Sequence, residues 1–249
     1  MLHSKINDYY HGQDTPQSLQ ELILFLSDIS NRHIHGLRDN DIWKESILTQ
    51  DKSLQRLQNI KAGYGLLNCH CRYISQTANT LLKEIGIESR QVELLSGKHL
   101  EKDSRHIVSE IIWQNSYFHA DLDFGIIFNE NLTYLSSIDI QHKMYNKQLN
   151  EQNIWRLTFT KQVDKTTHNY FTPTLQSNKA IIEIYQLCSQ AIMIDNDISI
   201  ADDKQELQPQ IRSELVDSKK SAATFLTQDK FKKKYYSCIP HLQIGCDSA

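Results

Sequence analysis

The chain has 249 residues, of which 39% are hydrophobic and 23% charged, and its formal net charge is −3 at pH 7. This composition is typical of a folded globular protein, excludes a disordered chain, and gives no reason to expect a nucleic acid or an anionic membrane as partner. No apolar run reaches about 18 residues, so no membrane span is expected. No secretory signal opens the sequence, so we expect a cytoplasmic protein. The five cysteines, an odd number, are then expected to be reduced thiols.

Helical periodicity first appears near the N-terminus. Apolar residues recur at helical intervals over residues 17–31, which predicts an amphipathic helix there. Two short helices are also predicted in the more polar stretch that follows, at residues 41–48 and 51–62.

The most informative segment covers residues 68–87. Six of its residues follow one another at helical spacing and fall within about 100° of arc on one face: Cys71, Ile74, Ala78, Leu81, Leu82 and Ile85. Gly86 is placed to end the helix as a left-handed cap. The pattern predicts that Cys71 begins a buried helix and faces inward, whereas Cys69 points about 200° away from that stripe.

Three strands are predicted after this helix, over residues 90–95, 106–113 and 117–124. Each segment is rich in apolar, β-branched or aromatic residues and is bounded by polar residues. A short turn around residues 114–115 joins the last two strands, which predicts an antiparallel hairpin.

This hairpin brings a histidine and two carboxylates together. With a two-residue turn, His106 lies opposite Asp123 and diagonal to Asp121. Side chains alternate along a strand, so His119, Asp121 and Asp123 share one face. Alternation does not separate the two aspartates as partners of His106.

The second half of the sequence carries weaker signals. We predict a helix with a serine N-cap over 177–193, a helix around 204–217, and a strand within 230–246. Residues 1–130 are therefore interpreted as a core with N-terminal helices. Residues 131–249 are interpreted as an extension that completes the sheet or the substrate cleft.

Three separated motifs occur in order along about a quarter of the chain. Cys71 opens the predicted helix, and Arg90 follows it by nineteen residues, behind a Gly-Ile pair. The string HIVSEI at residues 106–111 comes next, and Tyr117 then precedes Asp121 by four positions. This succession resembles the transglutaminase-like superfamily of papain-like cysteine proteins, and the aromatic spacing favours Asp121 over its neighbouring carboxylate.

The sequence departs from the family pattern at two places. Cys69 and His70 precede the nucleophile position, where a small residue is usual two positions before it, and Glu88 stands where proline is common. Neither departure removes a catalytic group.

The resemblance implies an α+β, papain-like fold, in which a cysteine at a helix N-terminus packs on an antiparallel sheet carrying histidine and aspartate. It implies an enzyme of cysteine-dependent acyl transfer or amide hydrolysis, through a thioester, with Cys71, His106 and Asp121 as the triad. We add as accessory candidates Asp123, Cys69, His70 and Tyr117. The implied substrate is an amide- or ester-bearing peptide, amino-acid conjugate or glycan-linked compound, as in bacterial polysaccharide or natural-product biosynthesis, and no cofactor or metal is expected.

The chemistry agrees with these residue types. A free thiol is only a few per cent ionised at pH 7, and a helix N-terminus with a neighbouring imidazole favours the thiolate. A carboxylate on the other ring nitrogen of His106 orients the imidazole. The backbone N–H of Cys71 is a natural oxyanion donor, and Gln55 and Gln58 are candidates for the second donor.

Three other interpretations stay open. Cys71 is a buried core thiol in the plainest of them, since free cysteine is often buried. In the second, the chain is a catalytically silent transglutaminase-like module that binds a partner. In the third, Cys69, His70 and Cys71 ligate a metal together with His106 or His119, although the paired spacing of zinc ribbons is absent.

Overall fold

The computed structural model describes residues 2–31, 33–34, 67–68, 71–95, 105–157, 177–188, 191–194, 199–201 and 224–236. The helices in these ranges are α1 (Leu2–Tyr10), α2 (Leu19–Asn31), α3 (Cys71–Glu84), α4 (Ser137–Tyr145), α5 (Asn178–Cys188) and α6 (Gln228–Tyr236). The strands are β1 (His33–Ile34), β2 (Leu67–Asn68), β3 (Ser89–Leu95), β4 (Arg105–Trp113), β5 (Ser116–Asp121), β6 (Ile126–Glu130), β7 (Thr133–Tyr134), β8 (Ile154–Arg156), β9 (Ala191–Ile194), β10 (Ser199–Ala201) and β11 (Thr224–Leu226). A 3-10 turn, Glu151–Asn153, precedes β8.

A nine-stranded sheet forms the centre of the fold. Its order is β11-β10-β9-β3-β4-β5-β6-β7, with β8 paired to β6. All pairs in this sheet are antiparallel except the pair of β10 with β11. The predicted α+β class, with an antiparallel sheet and Cys71 at the start of a helix, is confirmed.

Helices cover both faces of the sheet, because alternation along the strands gives each face its own apolar set. Apolar residues of α1, α2 and α3 pack with one set, which includes Ile111, Phe118 and Ala120. Apolar residues of α4, α5 and α6 pack with the other, which includes Val92 and Val108. No helix in the described ranges is long and apolar enough to cross a membrane.

Helix α3 follows the predicted pattern closely. The apolar stripe behind Cys71 is buried, with no residue more than 1% exposed: Ile74, Ala78, Leu81, Leu82 and Ile85. Gly86 has φ +74°, and the N–H groups of Gly86 and Ile87 donate to the carbonyls of Lys83 and Leu82. These bonds form the Schellman motif, which confirms the predicted stop.

The hairpin of β4 and β5 has the expected register. Trp113 pairs with Ser116, and positive φ angles at Gln114 (46°) and Asn115 (69°) make the tight turn that matches strand twist. Strand β5 ends earlier than the predicted residue 124. The Oδ1 atom of Asp121 accepts hydrogen bonds from the backbone N–H groups of Asp123 and Phe124, and these bonds form a turn.

One prediction for the second half is wrong. The helix over 177–193 ends at Cys188, and Ala191–Ile194 pairs with β3 as a strand, in which Ile192, Met193 and Ile194 are buried in the sheet. Of residues 230–246, where a strand is predicted, those up to 236 belong to helix α6, since Phe231 is buried while the lysines around it are exposed, and the others lie outside the described residues. The helices predicted at 41–48, 51–62 and 204–217 lie outside the described residues.

Candidate active site

Three elements bring the proposed triad together. Cys71 is the first residue of α3, His106 lies at the start of β4, and Asp121 is the last residue of β5. The sulfur of Cys71, one ring nitrogen of His106 and a carboxylate oxygen of Asp123 all lie within 4.8 Å of one another. The site is therefore at the end of the sheet where β4 begins and β5 ends.

The imidazole of His106 is held by Asp121. The distance between His106 Nε2 and Asp121 Oδ2 is 2.6 Å. The other oxygen, Oδ1, accepts the backbone N–H groups of Asp123 at 3.1 Å and Phe124 at 3.0 Å. A buried carboxylate with these donors is an acceptor, so Nε2 carries a proton and Nδ1 is the ring nitrogen left for Cys71.

The electrostatics of the site favour a charged imidazole. Burial lowers the pKa of His106, but the charge of Asp121, the hydrogen bond to Asp121 and the contacts with Cys71 together raise that pKa well above its usual value. The centroids of the Phe124 and His106 rings are 5.2 Å apart, so Phe124 covers one side of the imidazole. At neutral pH the imidazolium form is thus the stable one beside the sulfur.

The two aspartates occupy different places. Asp121 is fully buried and holds the hydrogen bond to His106. Asp123 is 3% exposed and lies on the side of Cys71. The turn that follows β5 separates the two carboxylates, which alternation along a strand cannot do.

Of the accessory candidates, Tyr117 lies elsewhere. Its ring is 4.6 Å from the guanidinium of Arg90, and this guanidinium also stacks on Tyr236 and donates to Glu110 Oε2 at 2.8 and 2.6 Å. The arginine nineteen residues after Cys71 therefore belongs to a half-buried structural cluster with Tyr117. Cys69 and His70 lie outside the described residues, as do the oxyanion candidates Gln55 and Gln58.

Two residues linked to the site, Tyr185 and Ser137, were not predicted from the sequence, whereas His119 was placed on the same strand face as Asp121. Tyr185, on α5, donates its hydroxyl to Asp121 Oδ2 at 2.8 Å and lies 2.6 Å from His119 Nε2. His119 Nδ1 is in turn 2.8 Å from the hydroxyl of Ser137. The spacing of Tyr185 four residues after Ile181 indicates a buried helical face and nothing about a carboxylate 64 residues away.

One group in the described part of the chain has the ligand types and spacing to hold a metal ion: Cys71, His106 and Asp123. Thiolate, imidazole and carboxylate are all ligands that zinc accepts, and the bond from His106 to Asp121 is the usual outer partner of a metal-bound histidine. This set differs from the predicted one. His119 is occupied by Tyr185 and does not belong to it.

In comparisons with known proteins, no family model, no curated protein and no solved structure matches this chain.

Proposed function

We propose that the chain is a cysteine-dependent enzyme that cleaves or transfers an acyl group through a thioester on Cys71. The observation that carries this proposal is the place of His106, which is hydrogen-bonded to Asp121 at 2.6 Å and has a ring nitrogen within 4.8 Å of the Cys71 sulfur. The transglutaminase-like motifs in the sequence and the start of α3 at the cysteine support it. The finer assignment to a papain-like fold is part of the same proposal.

The reaction begins with attack of the Cys71 sulfur on the carbonyl carbon of an amide or ester. A carbon–sulfur bond forms, and the carbonyl electrons move to oxygen, where a backbone N–H of the first turn of α3 stabilises the negative charge. His106, already protonated, then gives its proton to the departing amine or alcohol as the carbon–heteroatom bond breaks. Asp121 keeps the ring oriented through both transfers.

The thioester is resolved by a second nucleophile. His106, now neutral, takes a proton from water or from an incoming amine, which attacks the thioester carbon and expels the Cys71 thiolate. Water gives hydrolysis, and an amine gives acyl transfer. The substrate class is an amide- or ester-bearing peptide, amino-acid conjugate or glycan-linked compound.

Alkylation of the native protein with iodoacetamide at pH 6, with the modified thiols located by mass spectrometry, tests this proposal. We expect Cys71 to react at least about tenfold faster than an ordinary thiol, because only the ionised sulfur is nucleophilic. The variant His106→Ala should lose this advantage. His142→Ala, which removes an exposed histidine, is the matched control and should keep it.

A second assay measures chemistry directly. With an activated p-nitrophenyl ester, one equivalent of p-nitrophenolate should appear in a burst, with an acyl group on Cys71, and an added amine should accelerate its removal. If Cys71 alkylates no faster than the other cysteines and no acyl adduct forms, the enzyme is refuted. The catalytically silent binding module then becomes the better interpretation.

A transition-metal centre is the second candidate, and the place of Asp123 beside Cys71 and His106 favours it. Three protein ligands with a fourth position open to water are the pattern of catalytic zinc sites. Stoichiometric zinc that survives dialysis and protects Cys71 from alkylation until a chelator is added supports this candidate. Metal-free protein with a reactive Cys71 supports the thioester enzyme.

A further inference from the structure

Behind His106, a line of hydrogen bonds runs into the second helical layer. Ser137 Oγ lies 2.8 Å from His119 Nδ1, His119 Nε2 lies 2.6 Å from the Tyr185 hydroxyl, and this hydroxyl lies 2.8 Å from Asp121 Oδ2. The same oxygen of Asp121 receives His106. The side chains behind the histidine are at most 1% exposed, so water does not compete for these groups.

The donors and acceptors along this line allow one assignment. The carboxylate of Asp121 only accepts, so Tyr185 gives its single hydroxyl proton to it and must accept from His119. His119 therefore carries its proton on Nε2, and its Nδ1 accepts the hydroxyl of Ser137. Burial lowers the pKa of His119 to about 3, so this ring is neutral and has one proton to place.

We infer that Tyr185 is a positioning residue of the proposed active site, held by His119 and Ser137, and that it sets the orientation of Asp121 and through it that of His106. This inference rests on the proposed function. Tyr185 reaches Asp121 Oδ2, the same atom that binds His106 Nε2, so its hydroxyl controls the direction in which that oxygen faces. Its ring also contacts both histidines edge-on, with centroids 6.2 Å from His106 and 5.6 Å from His119.

This line of hydrogen bonds links helix α5, on the second face of the sheet, to the site. Cys71 arrives on α3, which packs on one face of the sheet, whereas Tyr185 arrives on α5, which packs on the other. Without the tyrosine hydroxyl, Asp121 Oδ2 keeps His106 as its only remaining side-chain partner of this set. The carboxylate is then held by His106 and by the two backbone N–H groups on Oδ1, so Oδ2 can shift and the imidazole shifts with it, away from the sulfur.

The first measurement uses the unaltered protein. Long-range ¹H–¹⁵N correlation spectra of its histidine rings report which nitrogen carries the proton. We expect His119 as the Nε2–H tautomer. If His119 is instead the Nδ1–H tautomer, its Nε2 must accept from Tyr185, the hydroxyl proton is not available to Asp121, and the inference is overturned without any variant.

The second measurement uses Tyr185→Phe, which keeps the ring and removes the hydroxyl. We expect Cys71 alkylation to slow by about tenfold, as for the loss of one hydrogen bond to a charged group, and the ring signals of His106 and His119 to shift. Tyr10→Phe is the matched control, because the buried Tyr10 on α1 donates its hydroxyl to the half-buried Asp28 on α2 at 2.7 Å. That variant should leave Cys71 reactivity unchanged.

The outcomes separate the two claims. If Cys71 of the unaltered protein is unreactive or independent of His106, the proposed function fails. If Cys71 is reactive and depends on His106, but Tyr185→Phe folds with unchanged reactivity and unchanged His106 signals, only the positioning role fails. Should Tyr185→Phe not fold, the tautomer of His119 in the unaltered protein decides the question.

Discussion

His119 makes the stability of the protein depend on pH in a way that can be calculated. It is fully buried, and its pKa falls from 6.5 to about 3, chiefly because burial disfavours the charged ring. The negative charge of Asp121 raises this pKa, and the positive charge of His106 lowers it by a smaller amount. Between those two values the unfolded chain binds a proton that the folded chain does not. Stability from this group is therefore present above pH 6.5 and is lost as the pH falls.

Between pH 7.5 and pH 5 the loss is about 2 kcal/mol, because each unit of pKa difference exposed by the change is about 1.4 kcal/mol. In urea denaturation, we expect the unaltered protein to lose this much more stability between the two pH values than the variant His119→Gln does. The variant also lacks hydrogen bonds, but that deficit does not depend on pH. His106 has the opposite sign, since its raised pKa stabilises the fold at low pH, and its contribution is common to both proteins. Parallel pH dependences for the two proteins refute a buried, neutral His119.

Three further substitutions test other parts of the structure. Asp121→Asn removes the largest influence that raises the pKa of His106, so an NMR titration should show that pKa falling and the ring neutral at pH 7. Arg90→Met leaves Glu110 buried without its cation and should lower the free energy of unfolding by about 3–5 kcal/mol in urea, part of which Glu110→Gln should restore in the double variant. Gly86→Ala should cost about 1–2 kcal/mol by thermal unfolding, from its φ of +74° alone, because the nearest atom to an added Cβ is 3.9 Å away.

The elements that position the site were largely predictable. The helical stripe from Cys71 and the stop at Gly86 depend on local spacing and on one backbone conformation, both of which the sequence carries. The hairpin register depends on a two-residue turn and on alternation, which together bring His106 to the carboxylates. These locally preferred structures are retained in the folded protein because the tertiary packing stabilises the same structures.

The choice between two carboxylates was not predictable from alternation. Asp121 and Asp123 share one strand parity, and the fold separates them by ending β5 at Asp121. The Oδ1 atom of Asp121 binds the two following backbone N–H groups, which is the behaviour of an aspartate at a turn. The Asp-Phe-Gly sequence after it is a turn signal that points in the same direction, since Gly125 has φ +66°.

The strand β9 and the contact of Tyr185 depend on tertiary structure. Four apolar residues, Ala191–Ile194, continue a helical pattern as readily as they form a short buried strand, and pairing with β3 decides between these. Tyr185 reaches Asp121 only because α5 packs across the sheet, and no local pattern encodes that distance.

The position of α3 on the sheet explains how a thiol from one layer meets an imidazole that faces the other. One turn after Cys71, the hydroxyl of Ser75 lies 3.0 Å from the hydroxyl of Ser109, on the same strand as His106. The side chain of Gln91 on β3 donates to the carbonyl of Arg72 at 3.1 Å. The first turn of α3 is thus fixed to two adjacent strands. The sulfur lies near the imidazole at the end of β4, where the strand no longer separates the layers, so the position of the sulfur depends on these two anchors.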